Sequence, residues 1–142
     1  MATTVRCEIK NCKARGEWAE LCFMARAAAH GYSVTRPFGD SASYDVGVEH
    51  CGRFSRVQVK STTCRERNCY KCQIGHFGGE PYTENELDFF AIYLVPIDLW
   101  YLIPFEVAQH SLSLRLAPNN FHHRFSQYIE AWHLLRGDEG RV

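Results

Sequence analysis

Asp45, Gln58 and Lys60 carry the chemistry in one short stretch, Ser43-Tyr-Asp-Val-Gly-Val-Glu-His-Cys-Gly-Arg-Phe-Ser-Arg-Val-Gln-Val-Lys60. Residues 43–50 alternate in character, as do 53–60, so the stretch reads as two strands. Cys51-Gly52 between them suits a two-residue loop, in which Gly supplies the positive φ of a type I′ turn. That loop makes His50 face Arg53, and counting back sets Asp45 opposite Gln58, about 5 Å apart at Cβ on a shared face. Lys60 falls on the same face, while Tyr44, Val46, Val48, Val57 and Val59 fall on the other and need a core. A carboxylate, an amide and an ammonium therefore converge on one side of an otherwise apolar hairpin, the pattern of an active site. The alternative is the plain solvated face of a ribbon.

The charge around this triad points to phosphate. Between Arg53 and Lys71 stand six cations (Arg53, Arg56, Lys60, Arg65, Arg67, Lys71) against one anion, Glu66. Arg6, Lys10, Lys13 and Arg15 add an N-terminal basic arm, while acidic residues gather at Glu80, Glu84, Glu86 and Asp88. The net charge is zero, which argues against nucleic-acid binding by bulk charge. A basic band of Arg53, Arg56, Arg65, Arg67 and Lys71 beside the triad is instead what a phosphate-backbone track looks like, or else a solvated basic face.

The elements that must position these groups follow from periodicity. Trp18, Leu21, Cys22, Ala25, Ala28 and Ala29 predict a helix over 15–30, closed by Gly31. Strands are expected at Tyr32–Phe38, in the hairpin, at Tyr70–Ile74, at Leu87–Val95 (apolar almost throughout, hence buried on both faces) and at Leu99–Ile103. Pro96-Ile97-Asp98 is a turn, Phe105–Ala108 a turn of helix, and Leu112–Leu116 a short strand. A last helix is expected from Asn119 or Asn120 to about Leu135, its stripe formed by Phe121, Phe125, Tyr128, Ile129, Trp132 and Leu135. Helix, a run of strands, then helix is an α+β order rather than βαβ winding.

With 142 residues, 46% of them hydrophobic and 23% charged, the chain has the composition of one ordinary globular domain. It is long enough to bury about two-thirds of its unfolded surface. No run approaches the roughly 18 apolar residues of a membrane span, and the N-terminus does not read as a signal peptide, so a soluble, cytoplasmic protein without membrane contact is expected. Seven cysteines then read as free thiols in a reducing compartment. Cys64, Cys69, Cys72 and His76 have the ligand count of a zinc site, but Cys69 to Gly75 reads as a strand, which would point Cys69 and Cys72 to opposite faces. Small buried or half-exposed thiols are the better reading. Asp40 lies in a loop with Ser41 and Ser43, as a turn cap or a second-choice ligand. His76, His110, His122 and His123 have no partner at metal spacing, and Ser61 and Thr62 are hydroxyls that could donate to a phosphate.

A helix bearing Glu, then Gly31-Tyr-Ser-Val-Thr-Arg-Pro37, then Asp45, then Gln58-Val-Lys60 resembles the PD-(D/E)xK nuclease superfamily. More closely it is similar to the bacterial branch with the group I intron homing endonucleases, in which Gln-x-Lys replaces the acidic (D/E)-x-Lys. Pro81-Tyr-Thr-Glu-Asn-Glu-Leu-Asp-Phe-Phe-Ala-Ile-Tyr93 and Trp100-Tyr-Leu-Ile-Pro104 also resemble that branch, so the resemblance spans roughly residues 14–136. It implies a restriction-endonuclease-like α+β fold, a central mixed sheet flanked by an N-terminal and a C-terminal helix. It also implies a magnesium- or manganese-dependent DNA endonuclease that leaves a 5′-phosphate. Position by position, Asp45 matches the metal-binding aspartate, Gln58 the variant second motif and Lys60 the catalytic lysine. Related Holliday-junction resolvases place a glutamate four residues after one Gly and eleven before the Gly ending the helix; Glu20 meets both counts with Gly16 and Gly31, and is preferred to Glu17.

That assignment makes physical sense. Magnesium takes carboxylate, carbonyl and water oxygens, which Asp45, Gln58 and the backbone carbonyl of Val59 can offer, with Glu20 orienting water around the cation. Lys60 would stabilise charge on the attacking or phosphoryl oxygens. Gln58 removes one negative charge from the usual set, so weaker metal affinity is expected unless Glu20 compensates. A chain this small implies a homodimer or higher assembly, two sites addressing two strands. The competing readings are a catalytically silent nucleic-acid-binding module of the same fold, and an interaction subunit using the apolar Leu87–Ile103 hairpin.

Overall fold

The computed structural model describes residues 7–137, so Arg6 of the basic arm lies outside the described residues. The side chain of Asn11 accepts the N–H of Ala14 at 3.0 Å and opens helix α1, Cys12–Ala29. Gly31, at φ +89°, closes it as its position predicts. Strand β1 (Ser33–Thr35) covers only the first part of the expected strand. Strands β2 (Val46–His50) and β3 (Arg53–Thr62) form the expected hairpin, with His50 opposite Arg53 and Val46 opposite Val57. Cys51 and Gly52 at its tip both have positive φ, 50° and 82°, as a type I′ turn requires.

Two more hairpins follow. Strands β4 (Arg65–Glu66) and β5 (Cys69–Gln73) form one; β6 (Phe89–Leu94) and β7 (Leu99–Pro104) form the other. Helix α2 (Phe105–Ala108) and strand β8 (Ser113–Leu116) come next. The main sheet has the order β1-β2-β3-β6-β7, antiparallel except for the parallel β3–β6 pair, and is therefore mixed. A parallel neighbour needs a crossover. Here the β4–β5 hairpin supplies part of it, and pairs with β8 in a separate antiparallel sheet of order β4-β5-β8.

This arrangement explains the apolar run at β6, whose six residues are all buried. Phe89, Ala91 and Tyr93 pack toward α1; Phe90, Ile92 and Leu94 pack toward the small sheet with Tyr70, Cys72 and Leu114. The central sheet is thus covered on one face by a helix and on the other by a second sheet. Along β3 the same alternation sends Val57 and Val59 to the helix side and Gln58 and Lys60 to the other.

Two expectations are corrected. Tyr44 precedes β2 and leaves the core face, where its ring meets Phe54 edge-on at 6.2 Å. The C-terminal helix does not form: the segment carries only two short 3₁₀ turns, Ser126–Tyr128 and Trp132–Arg136, and Phe121 is exposed. The reason is the unpaired edge of β7. Ile129 bridges to Tyr101, Glu130 N–H donates to the Trp100 carbonyl at 2.8 Å, and Trp100 N–H donates to the Glu130 carboxylate at 2.8 Å. Satisfying buried backbone groups outweighs the weak helix propensity of a segment that carries two Asn and three His.

Helix α1 is fixed to the sheet by Asp98, which occupies the left-handed region (φ 49°) in the β6–β7 turn. Its carboxylate accepts two bonds from Arg26, at 2.6 and 2.8 Å, and one from the buried Tyr93 hydroxyl. Asp98→Ala should therefore destabilise the protein by about 2 kcal/mol, chiefly by stranding that hydroxyl. Adding Tyr93→Phe should recover about 1 kcal/mol of the loss in urea denaturation.

Candidate active site

The site lies just before β2 begins. Asp45 precedes the strand; its N–H still bonds the Val57 carbonyl at 2.9 Å, but its carboxylate accepts the Val59 N–H at 2.9 Å. A side chain has taken over a ladder position the strand vacates, and it is held against the backbone of β3. The paired register ends with Val46 opposite Val57, and because the Asp45 N–H also turns to the Val57 carbonyl, Asp45 does not continue the count into a direct pair with Gln58.

Gln58 is buried, and its Oε1 has no hydrogen-bond partner among the described residues. An unsatisfied buried carbonyl costs on the order of 1–3 kcal/mol, so its persistence calls for an explanation. Glu20 reaches in from α1 and shares a hydrogen bond with the Asp45 carboxyl. Burial first, then the neighbouring Asp45 charge, push the Glu20 pKa up to about 7. Burial also raises Asp45, opposed by the Val59 N–H and the Lys60 charge. Each carboxyl therefore favours its neutral form more than it would in water.

Lys60 is half-buried, and burial pulls its pKa down while Asp45 pulls it back up. Its Nζ lies 5.4 Å from the ring centre of Tyr82. Tyr82 stacks on His76 at 3.8 Å, and His76 Nε2 pairs with Glu86 at 2.8 Å. Burial and the Asp45 charge push the Tyr82 hydroxyl up to about 12.

Glu20, Asp45, Gln58 and Val59 line one cleft of about 340 Å³, while Lys60 opens onto an adjoining one of about 590 Å³. Among the described residues no three His, Cys, Asp or Glu come together in a metal-holding group. The donors present are instead two carboxyls and an amide oxygen, the hard oxygen set that magnesium or manganese takes. An orphaned amide oxygen beside two carboxyls that both resist ionisation is a site short of positive charge, and a divalent cation fits it.

The other residues picked from the sequence are scattered. Glu17 is exposed on α1 and adds only a minor repulsion to Glu20. Asp40 lies in the β1–β2 loop and lines an outer pocket that Glu20 and Asp45 share. Arg53, at the hairpin tip, is seven residues along β3 from Lys60, about 23 Å away at strand rise. The Arg56 guanidinium is committed to Asp88 (both contacts 3.1 Å) and to the carbonyls of Asn85 and Glu84. Arg65, Arg67 and Lys71 belong to the β4–β5 hairpin, Arg65 and Arg67 exposed and Lys71 half-buried. Thr62 is buried, donating to the Lys71 carbonyl at 2.6 Å and accepting from Cys64 N–H at 3.0 Å. Cys69 and Cys72 fall on opposite faces of β5, half-buried and buried.

Sequence reasoning missed Arg36 and Tyr82. Arg36 lines the carboxyl cleft, and its charge favours ionisation of both Glu20 and Asp45. Its signal was the arginine between Thr35 and Pro37, just past β1. Tyr82 carried no spacing signal, since it arrives from the loop before β6.

A family profile described as PD-(D/E)XK endonuclease matches residues 10–135. Among solved structures, a bacterial homing endonuclease, I-Ssp6803I, superposes with a TM-score of 0.76 at 28% sequence identity, covering 91% of this chain and 94% of the other. No curated protein matches in sequence. The family match over most of the chain, the mixed sheet and the clustering of Glu20, Asp45 and Gln58 beside Lys60 agree, and the chain belongs to the PD-(D/E)XK endonuclease family.

Proposed function

We propose that this protein is a divalent-cation-dependent endonuclease that hydrolyses DNA phosphodiester bonds, with Glu20, Asp45, Gln58 and Lys60 as its working residues. The observation that carries this reading is the buried, unpartnered Oε1 of Gln58 beside the Asp45 and Glu20 carboxyls. A silent binding module gains nothing from that unsatisfied oxygen and would be more stable with an apolar side chain there.

Asp45 and Gln58 supply the cation's protein oxygens, and Glu20 completes the set once its proton leaves. N–H and C=O of one strand residue point to the same side, so the Val59 carbonyl faces the same gap in which Asp45 holds its N–H. A magnesium or manganese ion bound there supplies charge neutralisation and Lewis acidity at the phosphoryl oxygens. Lys60, with its pKa lowered by burial, donates to those oxygens from the adjoining cleft. Arg65, Arg67 and Lys71 are the cations left to track the backbone, with Arg53 reaching a more distant phosphate. Arg56 serves the fold instead. One such centre addresses one strand, and a homodimer or higher assembly addresses both. The seven cysteines are all free thiols, which fits a reducing cytoplasm. Among the described residues no helix is long and apolar enough to cross a membrane.

Nicking of supercoiled plasmid in magnesium tests the reading. Wild type is expected to cut; Asp45→Ala should lose about a thousandfold or more, and Lys60→Ala about a hundredfold. Duplex binding by wild type without cutting in magnesium or manganese would favour the silent module. Gln58→Leu should move stability and activity in opposite directions. Removing the orphaned oxygen should raise urea stability by about 1 kcal/mol while calorimetric magnesium affinity and cleavage both fall.

The sign of the pH dependence follows from Glu20. Its pKa is higher folded than unfolded, so the stabilisation is complete below the ordinary carboxyl range and is lost as pH rises through about 7. The urea midpoint of the cation-free protein should fall between about pH 5 and about pH 8. Glu20→Gln should flatten that fall, and saturating magnesium should restore stability at the alkaline end.

A further inference from the structure

We infer that Phe77, at the tip of the loop after β5, is a stacking contact for a base of the DNA duplex beside the bond to be cut; this rests on the endonuclease reading above. The ring is fully exposed, yet its residue lines the same 590 Å³ cleft as Lys60, Gln73 and His76. A phenylalanine wholly in water contributes nothing to the fold, and a ring next to a phosphate-handling lysine has an obvious partner in a nucleobase.

The loop is built to hold that ring out. At its neck, Ile74 and Gly75 both donate to the Leu112 carbonyl, at 2.9 and 3.3 Å. A Cβ on Gly75 would come within 2.9 Å of the Leu112 side chain and 3.1 Å of the Glu80 carbonyl, so the neck is closely packed around glycine. His76 N–H bonds the Glu80 carbonyl at 2.7 Å, and Gly79 N–H bonds the His76 carbonyl at 2.9 Å. Gly79 turns the chain at φ +84°. The His76 ring is stacked on Tyr82 and paired with Glu86, and Lys60 stands over that same Tyr82 ring. Phe77 is therefore one residue from a side chain tied into the Lys60 environment, on a loop whose base is fixed and whose tip stands in water. Holding an apolar ring rigidly in water lowers the entropy lost when it stacks on or wedges beside a base. The occupant this geometry suits is a duplex whose phosphate sits at Lys60 and whose flanking base meets the ring.

The test uses Phe77→Trp, Phe77→Ala and Phe77→Tyr in the full chain, with a mixed-sequence duplex in chelator, where no cutting occurs. Emission of the indole introduced by Phe77→Trp, taken as the difference from wild type, should be open to acrylamide in the free protein and shielded once duplex is bound. Phe77→Ala should lose about tenfold in duplex affinity and nick plasmid more slowly in magnesium, while Phe77→Tyr retains both. Phe121→Ala, which removes an exposed ring that lines no part of this cleft, should change neither. An introduced indole that stays equally quenchable in the bound state, or a Phe77→Ala variant that binds and cuts like wild type, overturns the inference. Wild type that nicks plasmid in either case leaves the endonuclease reading standing; failure of wild type to bind duplex in chelator overturns the inference, and failure to nick plasmid as well overturns both.

Discussion

The bond from Val59 N–H to the Asp45 carboxylate is the constraint from which the site follows. Strand β2 begins only at Val46, while β3 runs on to Thr62, so beyond Val57 the edge of β3 that faces β2 has no strand beside it. An unpaired edge in a protein interior is costly unless something satisfies it. Here one side-chain oxygen does, and the remaining space is filled by the N-terminal half of α1, which brings Glu20 to Asp45. The late start of β2 thus creates the gap, supplies a carboxylate on its wall, and admits a second from the helix.

The groups gathered there oppose one another in a consistent way. Burial raises Glu20 and Asp45 and lowers Lys60, so each loses charge in the folded state relative to water. Arg36 and Lys60 partly offset this for the carboxyls, but Gln58 Oε1 gains no partner among the described residues. A fold optimised only for stability would not keep two carboxyls and a bare amide oxygen together. Such local unfavourable electrostatics are characteristic of sites arranged for a charged ligand.

The second sheet gives the site its other wall. The crossover that parallel pairing of β3 and β6 demands departs through β4 and β5 and returns through the loop carrying His76, Phe77 and Tyr82. This is why Lys60 faces a different cleft from the carboxyls, though Asp45 is bonded to its neighbour Val59. It is also why cations contiguous in sequence part company in space. Arg53 stays at the hairpin tip, Arg56 braces the Glu84–Asp88 segment, and Arg65 to Lys71 leave with the small sheet.

What the amino-acid order determined by itself was local. Alternation and the Cys-Gly turn set the hairpin register, because a two-residue loop leaves the strands no freedom to slip. Asp45, Gln58 and Lys60 were legible from that count, Gly31 marked the end of α1, and β6 announced burial on both faces by lacking polar residues. The position of Glu20 on α1 was readable, but its approach to Asp45 depends on how the helix crosses the sheet. The final helix misread shows the limit most plainly. Residues 119–135 carry an apolar stripe, yet Ile129 and Glu130 go to the open edge of β7, whose need for partners no local pattern records. Arg36, Tyr82, the latch on Arg56 and the exposed tip at Phe77 were likewise decided only when distant segments met. Register is a short-range geometric count, whereas burial, pairing of a free edge and the company a charge keeps are properties of the packed chain.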